Sequence, residues 1–129
     1  MKKTIAILVT LILFSATGVH ALNLGKVVAY PVPFNPNAGS GLLKLLDKSG
    51  SVTGPFSVTL EIFDINGDKV LGKNYSGVNL ASALNPVVWN GRNGAGKKVK
   101  PGFYIIKLTV EDPASNAFSS TTIRILIDY

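Results

Sequence analysis

The residues closest to a recognisable chemistry are Gly91-Arg92-Asn93-Gly94-Ala95-Gly96-Lys97-Lys98, one residue short of the phosphate-binding pattern G-x-x-x-x-G-K-[ST]. In that pattern backbone amides cradle the phosphates, the lysine neutralises them and the hydroxyl holds magnesium. Here Lys98 stands where the hydroxyl belongs. A second candidate is Asp64-Ile65-Asn66-Gly67-Asp68, with three oxygen-bearing side chains at alternate positions, as at the start of a calcium loop. A calcium loop of the EF-hand kind then needs glycine at its sixth position and glutamate at its twelfth. Those positions hold Lys69 and Tyr75. A third candidate is the cationic cluster Arg92, Lys97, Lys98 and Lys100, which suits an acidic partner if it is more than a solvated turn. Trp89, with Tyr75 and Tyr104, offers aromatic faces for stacking on a sugar, although a lone tryptophan beside Val87 reads first as core. Glu61 and Glu111 are carboxylates, but each falls on the polar face of its strand, which gives no convergent pair for glycoside hydrolysis.

The elements around the glycine-rich loop decide between these chemistries. A phosphate loop sits between a strand and a helix whose N-terminal amides hold the anion. Val87-Val88-Trp89 is a short strand before the loop, but Val99-Lys100-Pro101-Gly102 and a long alternating segment follow it. No helix fits there, so the glycines are expected to turn the chain between two strands. The Asp64 segment is expected to be a β-hairpin with Asn66-Gly67 at its tip. No nucleotide, metal or other cofactor is predicted for either loop.

Three segments alternate with period two. Val58, Leu60 and Ile62 share one face of residues 57–63. Tyr104, Ile106, Leu108 and Val110 face inward along residues 102–111, with Lys107, Thr109 and Glu111 outward. Ile123, Ile125 and Ile127 oppose Arg124 and Asp128 in residues 121–128. One apolar face at this period is the signature of a half-buried antiparallel strand. Weaker strands are expected at 27–30, 42–46, 70–75 and 86–89, and the second of these reads equally as a helical turn. Pro55, Pro86 and Pro101 precede strands and Pro113 follows one, so none removes a donor from a strong strand. About seven strands at this spacing predict an all-β, antiparallel sandwich of the Ig-like kind.

The N-terminus reads as a secretory leader. Lys2 and Lys3 precede an apolar run from Ile5 to Phe14, and Val19-His20-Ala21 closes it, which places the cut between Ala21 and Leu22. Ser15, Thr17, Gly18 and His20 interrupt the run before it is long enough to span a bilayer. With no cysteine in the sequence, a lipid anchor on a cysteine is not expected. The 129 residues less the 21 of the leader leave a domain of 108, residues 22–129, long enough for a core without disulfides. That domain has no Cys, His or Met, because the only His and the only Met lie in the leader. Ser-His and Cys-His nucleophile pairs and imidazole or thiolate metal sites are thereby excluded. Losing Lys2 and Lys3 from 13 basic residues against 7 acidic ones leaves a net +4, short of the excess typical of nucleic-acid binders.

Tyr30-Pro31-Val32-Pro33-Phe34-Asn35-Pro36 resembles the Tyr-Pro-Asn-Pro-Phe-Asn-Pro opening of Ig-like domains related to that of the flagellar hook-capping protein FlgD. Phe63-Asp64 with Gly67 and Val70 is similar to that family's aromatic-Asp-x-x-Gly-x-x-Val hairpin, and Trp89-Asn90-Gly91-Arg92-Asn93 with Gly96 resembles its Trp-Asp-Gly-Arg-Asp-x-x-Gly. Val99, Gly102 and Tyr104 match the strand that follows. Val32, Asn90 and Asn93 depart from the pattern, where the family more often has Asn, Asp and Asp. Related modules end many large secreted bacterial proteins, some as type IX secretion sorting domains. The resemblance implies a sandwich that works in assembly or at a surface and carries no catalysis. The expected function is therefore a secreted, periplasmic or surface module that binds a protein partner. The alternatives are a sorting or anchoring domain and a carbohydrate-binding module.

Overall fold

The computed structural model describes Leu24 and residues 26–48, 54–81 and 87–129. The leader, the Ala21–Leu22 cut and Pro86 lie outside the described residues. Among the described residues seven strands form: β1 (Val27–Tyr30), β2 (Leu43–Asp47), β3 (Phe56–Asp64), β4 (Lys69–Val78), β5 (Val87–Trp89), β6 (Gly102–Glu111) and β7 (Phe118–Ile127). They make two antiparallel sheets, ordered β1-β2-β5 and β4-β3-β6-β7, packed as a sandwich. Among the described residues no helix is long and apolar enough to cross a membrane.

The period-two segments became the inner faces. Val58, Leu60 and Ile62 from β3, Tyr104, Ile106, Leu108 and Val110 from β6, and Ile125 and Ile127 from β7 are buried against Leu43, Leu45, Val87 and Trp89 of the smaller sheet. The open reading of residues 42–46 resolves as strand. Leu43, Leu45 and Asp47 alternate inward between β1 and β5, and a helical turn could not pair on both sides at once. β7 begins at Phe118, ahead of its apolar alternation. Its ladder with β6 runs on through Ser119 and Ser120 to the Glu111–Phe118 pair, where small polar side chains leave no hydrophobic signature.

The proline-rich segment after β1 does more than turn. Phe34 is buried, and its backbone bridges β7 in parallel: its amide donates to the Leu126 carbonyl at 2.8 Å, and its carbonyl accepts from the Asp128 amide at 3.1 Å. Its ring stands 6.2 Å from that of Trp89, which in turn lies 6.1 Å and edge-on from Tyr104. These three aromatics close the core at the end of the sandwich that carries the glycine-rich loop, and offset or edge-on ring contacts add to their area burial.

Candidate functional site

Two loops meet at that end, and they share one design. In the β3–β4 hairpin the Asp64 carboxylate accepts from the amides of Asn66 and Asp68, both at 2.9 Å. The Asp64 amide donates to the Asp68 carbonyl, and the Gly67 amide to the Asp64 carbonyl. Twenty-nine residues on, the Asn93 side-chain oxygen accepts from the amides of Ala95 and Lys97, both at 3.0 Å. The Asn93 amide donates to the Lys97 carbonyl, and the Gly96 amide to the Asn93 carbonyl. Each loop is a turn folded around one Asx oxygen, with glycine in the left-handed region at its fourth position, φ +85° at Gly67 and +81° at Gly96. The tip of the first loop is wider than a two-residue Asn-Gly turn: only Gly67 has positive φ, and the pairing shifts register between Ile62 and Phe63.

In both loops the turn itself uses polar groups that a ligand would need. Every amide from Asn93 to Lys97 is engaged within the protein, that of Gly94 by the Val70 carbonyl of β4 at 3.1 Å, so the loop presents no free nest of N–H groups to a phosphate. In the first loop, the Asp64 Oδ1 takes two amide protons and holds the turn, as the Asn93 oxygen does in the second. Asn93 departs from the Asp of the resembled motif without loss of the turn, because an amide oxygen accepts the same two bonds.

The Gly94–Val70 bond ties the second loop to the base of the first. Between them lies an open cleft of about 520 Å³ lined by Asp64, Lys69, Asn93, Lys97, Lys98, Lys100 and Tyr104, among others. Four ammonium groups thus share the walls with one carboxylate. Lys97, Lys98 and Lys100, expected as a cluster, are brought together there; Arg92 is not among the lining residues. The Arg92 guanidinium instead donates to the Gly96 carbonyl at 2.9 Å and braces its own loop. Lys98 reaches the Asn37 side-chain oxygen in the proline-rich segment. The sequence cluster missed Lys69 and Asp64, although the signal was present: the hexads Asp64–Lys69 and Asn93–Lys98 both read Asx-x-x-Gly-x-Lys. Lys69 also pairs with Glu61 at 3.1 Å across the hairpin, so part of its charge is answered on the outer face.

The remaining motif residues hold this end in place. Trp89 is 2% exposed, and its indole N–H donates to the Arg92 carbonyl at 2.8 Å. Its ring is therefore core, and with Tyr104 7% exposed two of the three aromatics offered to a sugar are buried, while Tyr75 is half-buried. Gly91 is buried at φ +76°, and a Cβ there would stand 3.0 Å from the Pro36 side chain and 3.3 Å from the Phe34 ring. The proline-rich opening and the Trp-Asn-Gly motif, distant in sequence, are one packed unit. Gly102 opens β6. The Tyr104 hydroxyl donates to the Lys100 carbonyl at 2.6 Å, and burial, with Tyr129 and Asp64 nearby, raises its pKa above the usual 10.0. Tyr129 reaches the Val99 carbonyl, so the chain's last residue also anchors the segment leading into β6.

No protein-family profile matches the chain, and no curated protein matches it. Among solved structures it is similar to part of PorZ, described as an essential bacterial surface component of the type IX secretion system of Porphyromonas gingivalis. The TM-score is 0.51 at 24% identity, over 81% of this chain and 12% of that one. The likeness is one of fold, and this chain spans a small fraction of PorZ.

Proposed function

We propose that this chain is a non-catalytic interaction module that docks an acidic segment of a partner protein at the bacterial envelope or surface. The observation that carries this reading is the cleft between the two Asx loops, where Lys69, Lys97, Lys98 and Lys100 surround a concavity with a single acid. Lysines on loops braced by internal hydrogen bonds offer charge at defined positions, and end loops of sandwiches are where such folds place binding. The FlgD-type resemblance and the surface setting described for PorZ agree with an assembly role. Exposed charges are screened beyond about 8 Å at physiological salt, so the cleft acts mainly on association rate.

A cross-linking pull-down from native envelopes identifies the partner, and stopped-flow association then tests the site. The variant Lys97→Ser, Lys98→Ser, Lys100→Ser keeps Arg92, which braces the loop. It is expected to keep the circular dichroism of the parent, slow association and flatten its salt dependence. Unchanged kinetics in a folded variant would return the lysines to solvated turns. A second reading, a sorting or anchoring domain read by a type IX-like machine, draws on the same resemblance. It requires that the domain be removed on export, which intact mass spectrometry of the secreted material detects.

A further inference from the structure

Both ends of the larger sheet are edges, and the two are built differently. β4 carries Lys69, Lys73, Gly72 and Gly77, and its pairing with β3 is broken by two register shifts. Lysines and bulges are what discourage an edge from pairing with another chain. The other edge, β7, has no lysine, glycine or register shift over Phe118-Ser-Ser-Thr-Thr-Ile-Arg124; its one charge is Arg124 at the end, and its ladder with β6 is continuous. The Leu126 carbonyl and the Asp128 amide point away from β6, because both bond to Phe34. Backbone groups alternate along a strand, so those of Arg124, Thr122, Ser120 and Phe118 point the same way. Among the described residues no backbone group bonds to them, and β1 of the facing sheet lies alongside β7 without pairing. Among the described residues, Phe34 therefore caps the edge at Leu126, and no backbone bond is made along the outward side of 118–124.

We infer that the open edge of β7 pairs antiparallel with β7 of a second copy, about a two-fold axis at Thr121. The argument for a second copy is the self-complementarity of the open segment. Its outward groups belong to even-numbered residues, so hydrogen-bonded pairs join even to even. The register that uses the whole open edge, and leaves the Leu126 carbonyl to Phe34, joins Ser120 to Thr122 and Phe118 to Arg124, twice each. Phe118 is 68% exposed in one copy. Opposite Arg124 its ring meets a guanidinium, a favourable cross-strand pair. The two hydroxyl residues face each other between these end pairs. The result is one continuous sheet of eight strands, with the lysine clefts of the two copies free, so this inference does not rest on the proposed function.

The chain lacks cysteine, which makes the register directly readable. Thr121 would face its own copy at a non-hydrogen-bonded position, where Cα atoms stand about 4.5 Å apart, within disulfide reach. On mild oxidation Thr121→Cys is expected to give a covalent dimer, and Thr109→Cys, on the central β6, is not. Sedimentation equilibrium of the unmodified chain is expected to show a monomer–dimer equilibrium. Phe118→Lys, which sets like charges opposite Arg124 at an exposed position, is expected to weaken it about tenfold. Thr122→Pro, which removes an outward donor without touching the β6 ladder, is expected to abolish it. A chain that stays monomeric to its solubility limit, or a dimer that neither variant weakens while both keep the parent melting curve, overturns the inference. Cross-linking of Thr121→Cys in envelopes to another protein in place of itself also overturns self-pairing, and gives the edge to that protein's strand.

Discussion

At the scale of single residues, Trp89 is where packing and polar satisfaction coincide. Its ring lies between Phe34 and Tyr104, and its only polar atom bonds to the Arg92 carbonyl. Trp89→Ala is expected to cost about 3–5 kcal/mol in denaturant unfolding, the range for emptying a large aromatic site. A loss below about 1 kcal/mol, typical of a surface position, would contradict the burial found here. The lysines behave differently. Each is exposed, and their joint effect on an acidic partner comes from being held together, which no single side chain determines.

At the scale of elements, the two Asx loops and the proline-rich segment form the cleft end as a unit, and the glycines separate strain from contact. Gly96 has φ +81° and open space where a Cβ would go; Gly91 has φ +76° and the Pro36 and Phe34 side chains in the way. Gly96→Ala should therefore cost only the left-handed backbone penalty, about 1 kcal/mol. Gly91→Ala should cost more, because the proline-rich segment must also give way. Parallel melting curves distinguish the two, and equal losses would mean that Pro36 and Phe34 are not packed on Gly91. Amide exchange at Gly94 reports the same coupling, since its N–H leads to Val70 of β4, at the base of the other loop.

For the molecule as a whole, two tyrosines fasten strands to neighbouring backbone and set an alkaline limit. Tyr75 of β4 donates to the Val88 carbonyl of β5 at 3.4 Å, and Tyr104 to the Lys100 carbonyl. Burial raises both pKa values above 10.0, with Tyr129 and Asp64 adding at Tyr104. A phenol whose pKa is higher folded than unfolded contributes stability that is present below pH 10 and is lost as pH rises through the folded value. Denaturation midpoints are expected to hold up to about pH 10 and fall above it. The Tyr75→Phe, Tyr104→Phe double variant should lose part of that alkaline slope, and an unchanged slope would assign it to other groups.

The inner faces of β3, β6 and most of β7 were legible in the residues alone, because a strand buried on one side must alternate and these segments do. The hairpin at Asp64 and the turn at Gly91–Lys98 were legible too, since glycine at a left-handed position leaves a local mark. Two kinds of feature were not. The expected segment 42–46 became strand from Leu43 to Asp47 only because β1 and β5 flank it, and a run of five apolar and basic residues satisfies either period. The cleft joins Lys69 to Lys97, Lys98 and Lys100 and leaves Arg92 bracing the loop, while Phe34 travels to β7 and packs under Gly91. Those pairings cross tens of residues of chain, and no local spacing records them. Periodicity encodes which side of an element is buried; only the packed sheets decide which elements share an end, and therefore which charges share a site.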